Sequence, residues 1–283
     1  MNNNKEKKLY DKIAKVVSEV VSDACNNPAV FVSEMDIHVL IMKALMEIKC
    51  LNRRYDTSCT LGMNNMGAVS GKKYKTMLVH KEYGNERGRN ERSDIVIFDK
   101  KDVKLIDDPL NLKSEGKYLE PKYVFEFGTE KSAGTNKNYK EHLEGDFNKL
   151  SKIKNTGFLI HIQRIYVKSR SGTKRYKDNR NKIEAYVKST VEIWNSFKVK
   201  SWANRIKVLI FFVDLGGEKR VVSKKVRMFN PYPNPKRKND ANCIPVNQVD
   251  IKEIIKEFLK EDSEYNQDIE RIKAVCSAKR KQV

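Results

Sequence analysis

Two short apolar segments of this sequence each contain one carboxylate, and these two acids are the residues best placed to do chemistry. Asp94 lies within Arg-Ser-Asp-Ile-Val-Ile-Phe at 92–98, and Glu126 lies within Tyr-Val-Phe-Glu-Phe-Gly at 123–128. The β-branched and aromatic neighbours are typical of strands. Charged residues seldom occur in such runs unless they pair, bind a metal or face solvent. Neighbouring strands lie about 4.8 Å apart, so both acids could reach one cation. The alternatives are solvent-facing positions or ordinary salt bridges.

The ion predicted for this pair is Mg²⁺. Magnesium prefers hard oxygen ligands and usually keeps several waters, so one or two carboxylates and the phosphate oxygens of a substrate complete its shell. Mn²⁺ is the alternative ion, because carboxylate ligands suit it as well.

The charge of the chain favours a polyanionic partner. There are 57 Lys and Arg residues against 37 Asp and Glu residues, which gives a formal charge of +20. Such an excess favours nucleic acid or an anionic membrane surface. The alternative is a solvated, lysine-rich surface that reflects only a biased composition. A cation site within a positively charged protein favours nucleic acid.

Membrane and export signals are not found in the sequence. No apolar run approaches the ~20 residues of a membrane span, and the polar segment 1–8 contains no signal-peptide core. The five cysteines are scattered and form no CxxC pair, which gives a zinc site little support. We therefore expect no membrane association and a location in the reducing cytoplasm.

The pattern of apolar residues predicts an α/β fold, with a central mixed β-sheet flanked by helices. Ser33 is a plausible helix N-cap, and Asp36 three residues later resembles a capping box. Helices are predicted near 6–24, from residue 33, and near 138–154, 182–198 and 249–260. Strands are predicted at 75–80, 93–98, 103–106, 122–127, 157–163, 206–213 and 220–229.

Three regions follow from this organisation. Residues 1–32 form an N-terminal helical segment, and residues 33–230 form the α/β core, which carries a basic insertion at about 164–182. Residues 231–283 comprise an irregular loop at 231–245 with four prolines, a C-terminal helix and a basic tail.

The order of these elements resembles the PD-(D/E)xK nuclease superfamily, which includes many restriction endonucleases. A helix with a glutamate precedes a strand with an aspartate, a strand with a glutamate, a helix with an aspartate and a lysine, and an apolar strand. The resemblance covers residues 33–163. The segments that carry it are Arg-Ser-Asp-Ile-Val-Ile at 92–97, Val-Phe-Glu at 124–126, Gly-Asp-Phe-Asn-Lys-Leu at 145–150 and Gly-Phe-Leu-Ile at 157–160.

This resemblance implies a restriction-endonuclease-like core and metal-dependent cleavage of phosphodiester bonds in DNA, in a restriction or defence enzyme. Asp94, Glu126 and the backbone carbonyl of Phe127 would hold Mg²⁺. Glu34 could supply a carboxylate to an outer position or to a second metal. Equally, Glu34 could be a first-turn acid that interacts favourably with the helix dipole. Paired cuts across a duplex would favour a homodimer.

The sequence departs from the family pattern at Gly128, where a lysine is expected. Lys131 could reach back from the following loop, or Lys149 could act from the next helix. The third explanation is a catalytically inactive protein that binds nucleic acid on the same fold. We favour Lys149, because helices position side chains more firmly than loops. Lys149 shares a helix stripe with His142 and Asp146, although such a stripe is often a solvated flank.

Basic residues predict where nucleic acid would be bound. The segment 168–182 is rich in Lys and Arg and reads as a loop that could follow phosphates, with a solvated loop as the alternative. Arginines before the Asp94 strand are suited to phosphates or guanine edges. The predicted nucleic-acid-binding residues are Arg89, Arg92, Lys168, Arg170, Lys174, Arg175, Lys177 and Arg180.

Overall fold

A computed structural model describes most of the core of the chain. The described residues are 3–28, 31, 33–60, 73–84, 92–107, 112–115, 117–129, 136–165, 174–215, 225–229, 231, 243–246 and 251–259.

A mixed β-sheet forms the centre of the molecule. Among the described residues it has seven strands in the order β11-β10-β9-β8-β7-β4-β3. The pairs β7–β8 and β8–β9 are parallel and the other pairs are antiparallel, which confirms the predicted fold class. The strands are β3 (Val79–Tyr83), β4 (Ser93–Ile97), β7 (Tyr123–Thr129), β8 (Thr156–Ile165), β9 (Ile206–Asp214), β10 (Lys225–Phe229) and β11 (Cys243–Val246).

Helices cover both faces of this sheet. The first two helices pack against each other, and α2 contacts β4 and β7; α4 contacts β7 and β8 and packs against α5. The helices are α1 (Asn3–Asn26), α2 (Glu34–Met46), α3 (Lys100–Val103), α4 (Asn136–Ser151), α5 (Lys174–Phe197) and α6 (Ile251–Phe258). In the described residues, none of the helices is long and apolar enough to span a membrane.

Strand β7 separates two different environments. All seven of its residues are buried. Side chains alternate along a strand, so Tyr123, Phe125 and Phe127 share one face while Glu126 and Gly128 share the other. Phe125 stacks on Phe158 of β8 with ring centroids 4.6 Å apart, on the face that α1 and α2 cover. The face with Glu126 is covered by α4.

Most predicted helices and strands are found, with bounds shifted by a few residues. The predicted N-cap Ser33 precedes α2, and its backbone N–H donates to Asp36 Oδ2 at 2.7 Å, as the capping pattern indicates. The predicted strand at 75–80 is instead two strands, β2 (Lys73–Thr76) and β3, the second of which belongs to the central sheet.

The strand predicted at 103–106 is wrong. Residues 100–103 form the short helix α3, because Asp99 caps it by accepting a hydrogen bond from the Lys101 backbone N–H at 3.0 Å. The irregular loop predicted at 231–245 is also partly wrong, because β11 begins at Cys243. Pro245 is tolerated there because β11 is an edge strand.

The basic segment 168–182 is not a loop throughout, since α5 begins at Lys174. Good helix formers such as lysine and arginine outweighed the loop signal of the preceding serines and glycine. Three further strands, β1, β5 and β6, were not predicted, and all three lie outside the central sheet. Strand β1 pairs with β2, and β5 pairs with β6. Their bounds are Tyr55–Thr60 for β1, Lys113–Ser114 for β5 and Lys117–Tyr118 for β6.

Candidate active site

The site is built where the ladder between β4 and β7 ends. The last cross-strand pair there is Ile95 with Phe125, so continuing the register by one residue places Asp94 opposite Glu126. The backbone N–H of Phe127 donates to Asp94 Oδ2 at 2.8 Å. A side-chain carboxylate thus satisfies a strand N–H at this point. The two predicted acids lie on neighbouring strands at this end of the ladder.

Glu126 is completely buried in an unusual electrostatic environment. Its exposed fraction is 0%, and Lys149 Nζ lies 2.8 Å from its Oε2 atom. Burial raises the pKa of Glu126 well above its usual value, and the charges of Asp146 and Asp94 add to this effect while Lys149 opposes it. The other oxygen, Oε1, is buried without a hydrogen-bond partner. A buried carboxylate oxygen of this kind is costly unless something binds it.

Asp94 is only slightly exposed and lies beside helix α2. Burial raises its pKa to about 7, although the hydrogen bond from Phe127 and the charge of Lys149 work in the opposite direction. His38 Nε2 lies 3.6 Å from Asp94 Oδ2 and 3.8 Å from Glu34 Oε1. Glu34, His38 and Asp94 therefore form one group, with a ligand atom from each lying within 4.8 Å of the others.

His38 is a member of this group that was not predicted from the sequence. Burial, followed by the charge of Lys81, lowers its pKa to about 4, so the imidazole is neutral at ordinary pH and able to bind a metal. Its position four residues after Glu34 puts both side chains on one face of α2, and this spacing was the signal that could have identified it.

The donor set is suited to a divalent cation. In a strand, the N–H and C=O of one residue face the same neighbour, so the Phe127 carbonyl faces the Asp94 side of β7. Together with Asp94 and the unsatisfied Oε1 of Glu126, it supplies oxygen atoms, which Mg²⁺ and Mn²⁺ both accept. Glu34 lies close enough to Asp94 to extend this set.

Gly128 is required because a histidine occupies the neighbouring space. His161 is its partner across β7 and β8, and a Cβ atom at position 128 would lie 2.5 Å from His161 Cε1. No side chain fits at that distance without moving the fully buried ring. The strand position where the family pattern has lysine is therefore incompatible with His161 in its observed place.

Helix α4 instead brings Lys149 to Glu126. Asp146, on the preceding turn, lies 3.2 Å from Lys149 Nζ through its Oδ1 atom. Both carboxylates hold the pKa of Lys149 well above its usual range, although burial alone would lower it. The stripe with His142, Asp146 and Lys149 is therefore not a solvated flank, since it faces β7 and β8.

Two histidines contact the other oxygen of Asp146. His161 Nε2 lies 2.9 Å from Oδ2, and His142 Nε2 lies 3.4 Å from the same atom. Burial alone would raise the pKa of Asp146, but the hydrogen bond from His161 and the charge of Lys149 lower it instead. His142 Nε2 also lies 3.4 Å from the Phe127 carbonyl oxygen, which connects this cluster to the carboxylate site. His161 was not predicted as a site residue, because its single position in an apolar strand gave no spacing signal.

Arg92 is the one remaining predicted residue whose side chain the structure describes. Arg92 is exposed next to β4. Lys131, Arg89, Lys168 and Arg170 lie outside the described residues. Lys174, Arg175, Lys177 and Arg180 lie in the first turns of α5, where the structure describes only the backbone.

No family model, curated protein or solved structure matches this chain.

Proposed function

We propose that this protein is a Mg²⁺-dependent endonuclease that hydrolyses phosphodiester bonds in DNA on a restriction-endonuclease-like core. The observation that carries this proposal is the ion pair between Lys149 and Glu126, 2.8 Å apart, beside the end of the β4–β7 ladder where Asp94 lies. Two acids and one lysine are the groups that such hydrolysis requires, and here three separate elements supply them.

Each group has a distinct role in the proposed reaction. Asp94, Glu126 and the Phe127 carbonyl would hold the ion, and Glu34 would supply a further carboxylate. A bound divalent ion polarises the phosphate and lowers the pKa of the attacking water. Lys149 keeps a positive charge beside the reacting phosphate and stabilises the negative charge that develops there. Its approach from α4 accounts for a nuclease with glycine at position 128.

DNA is the partner that the charge of the chain supports. The formal charge is +20, and exposed Arg92 lies two residues before Asp94. The lysines and arginines at the start of α5 supply further phosphate contacts in this proposal. Binding that depends on several phosphate contacts weakens steeply as salt concentration rises. The scattered cysteines support a cytoplasmic location. The assembly that we propose is a homodimer, and the role is restriction or defence.

The direct test is incubation of the purified protein with supercoiled plasmid and with linear DNA, in the presence of Mg²⁺ or a chelator. We expect nicking or linearisation of the closed circle, which has no ends, only with Mg²⁺. Lys149→Ala should lower this activity strongly but leave a measurable residual rate, because the metal ligands remain. Lys131→Ala is the matched control and should leave it intact, because Lys149 already occupies the position beside Glu126.

The same experiment distinguishes the alternative function. Gly128, in place of the expected lysine, is the observation that favours an inactive nucleic-acid-binding protein. Salt-sensitive DNA binding without cleavage under any divalent ion would support that alternative. If the protein neither binds nor cuts DNA, both proposals are wrong.

A further inference from the structure

We propose that Asp146, itself held by His161, is a positioning residue that aims the Lys149 ammonium at the reacting phosphate. This inference deepens the proposed nuclease function and rests on it. It assigns a role to a partly buried cluster on α4 and β8 that contacts Glu126 through Lys149. The cluster consists of His142, Asp146, Lys149 and His161.

The contacts of Asp146 are divided between its two oxygens. Oδ1 lies 3.2 Å from Lys149 Nζ, and Oδ2 accepts a hydrogen bond from His161 Nε2 at 2.9 Å. Asp146 is 2% exposed and His161 is fully buried, so neither side chain has room to choose another rotamer freely. The carboxylate is therefore fixed on one side and directs the ammonium on the other.

Lys149 is held at two points as a result. Its Nζ atom lies 2.8 Å from Glu126 Oε2 and 3.2 Å from Asp146 Oδ1. A long lysine side chain with a single partner can swing about that contact, whereas two partners define the direction of the remaining N–H. An ammonium group has three donors, so one stays available for a phosphate oxygen.

Gly128 shows that the backbone is adapted to this arrangement. His161 occupies the space that any side chain at position 128 would need. The absence of a side chain at Gly128 thus leaves space for the His161 ring. His161 orients Asp146, and Asp146 orients Lys149. In this interpretation the absence of a strand lysine and the presence of a helix lysine have one common physical cause.

A metal ion is the other occupant to consider for this cluster. His142, Asp146 and His161 each offer a ligand atom within 4.8 Å of the others. However, both oxygens of Asp146 already have partners, Lys149 Nζ at Oδ1 and His161 Nε2 at Oδ2, whereas Glu126 keeps an oxygen without one. The ion pair and the short His161 hydrogen bond satisfy the carboxylate without a metal, which favours positioning.

The first experiment separates catalysis from binding in the full-length protein. Asp146→Asn keeps the shape of the side chain but removes its charge. We expect kcat for plasmid cleavage to fall about tenfold to a hundredfold, the effect typical of a misplaced catalytic group. DNA affinity measured with Ca²⁺ should remain close to the wild-type value, and rates are compared at equal folded fraction because loss of the buried ion pair lowers stability. A tenfold to hundredfold fall in DNA affinity with an unchanged kcat would overturn the proposal.

A double-mutant cycle then tests whether Asp146 acts through Lys149. In the Lys149→Ala background, adding Asp146→Asn should reduce activity little further, because the group it orients is already absent. Multiplicative losses in the double variant would mean that Asp146 acts independently, and would contradict the inference.

His161 provides a conservative rescue. His161→Gln keeps an N–H that can donate to Asp146 Oδ2, whereas His161→Leu has similar bulk but no donor. We expect the glutamine variant to retain severalfold more activity than the leucine variant at equal folded fraction. Equal losses would indicate that His161 only fills space.

A readout without DNA keeps the inference distinguishable from the nuclease proposal. Acetylation of lysines by an amine-reactive ester, followed by mass spectrometry, measures how firmly Lys149 is held. We expect severalfold faster labelling of Lys149 in Asp146→Asn and His161→Leu, with Lys140 unchanged as an internal control. If wild-type protein cuts no DNA, the nuclease proposal fails, while unchanged Lys149 labelling would independently overturn the positioning role. Zn²⁺ binding by the wild type that His161→Gln abolishes would also overturn it in favour of a metal site.

Discussion

The two faces of strand β7 are equally buried but differ completely in chemistry. On one face, Phe125 and Phe127 stack 6.3 Å apart and pack into the aromatic cluster below α1 and α2. On the other face, Glu126 is paired with a lysine from α4, and Gly128 makes room for a histidine. The first face is stabilised by the burial of apolar surface, whereas the second is stabilised by individual contacts between charged groups.

This difference shows that burial alone does not reveal whether a strand face is apolar or carries charged groups. A buried charge is stable only where a neighbouring element supplies its partners. Lys149 supplies one partner to Glu126, but Oε1 of Glu126 remains unsatisfied. Phe125 should therefore contribute mainly to stability, whereas Glu126 and its partner Lys149 should contribute mainly to activity.

Removing either acid of the proposed site should have the largest effect. Asp94→Ala and Glu126→Ala should each reduce Mg²⁺-dependent plasmid cleavage by at least about a thousandfold, or about 4 kcal/mol, because a ligand of the ion is lost. Cleavage rates and circular dichroism are the measurements. Phe125→Leu on the opposite face is the control and should cut normally at equal folded fraction. A normal rate in either alanine variant would show that the site is wrongly assigned.

Truncation on the apolar face should affect stability instead. Phe125→Ala removes a fully buried ring that stacks on Phe158, and should lower the free energy of unfolding by about 3–4 kcal/mol. Urea denaturation measures this change. The rate of cleavage per folded molecule should stay within a factor of a few of wild type. A large loss of rate without loss of stability would remove the distinction between the two faces.

Adding a methyl group at Gly128 should have a somewhat smaller effect. The new Cβ would meet the His161 ring at 2.5 Å, so Gly128→Ala should cost about 1–3 kcal/mol in unfolding free energy. In the double variant Gly128→Ala/His161→Ala the ring is absent and the clash disappears. Gly128→Ala should therefore lower the free energy of unfolding much less in a His161→Ala protein than in the wild type. Urea denaturation of the wild type, the two single variants and the double variant measures this difference. Equal costs in both backgrounds would exclude His161 as the reason for the glycine.

Lower pH should raise the Mg²⁺ concentration needed for half-maximal cleavage, and this is the smallest of the expected effects. The pKa of Asp94 is raised to about 7, so below that pH an ion must displace a proton from the carboxyl group. Because the charged fraction near pH 6 is about one tenth, the half-saturating Mg²⁺ concentration should be about tenfold higher at pH 6 than at pH 8. Cleavage rates over a Mg²⁺ titration at each pH test this, with DNA binding measured without a divalent ion as the control. A constant half-saturation point would contradict the expected competition.

The sequence predicted the α/β class and the two acidic strands because alternation and apolar runs are local signals. It also offered Lys149, since its spacing from Asp146 could be read along a single helix. His161 and its relation to Gly128 could not be predicted, because they depend on the parallel register of β7 and β8 across a long crossover. His38 was missed for a related reason, since its proximity to Asp94 arises only when α2 packs against β4.

Local signals also misled the prediction in places where a neighbour decides the structure. Four prolines favoured a loop at 231–245, yet residues 243–246 pair with β10 because an edge strand needs hydrogen bonds on one side only. Similarly, Val103 and Ile106 resemble a strand segment, but the cap from Asp99 starts a helical turn there.

Pro245 has a consequence for how copies of this protein could associate. Strand β11 ends one side of the sheet, and it is four residues long with a proline that has no N–H to donate. A second chain therefore finds an interrupted row of donors along this margin, which disfavours lengthening the sheet there by an added strand. If two copies act together on a duplex, contacts at the β11 margin should be made by side chains rather than by a shared ladder.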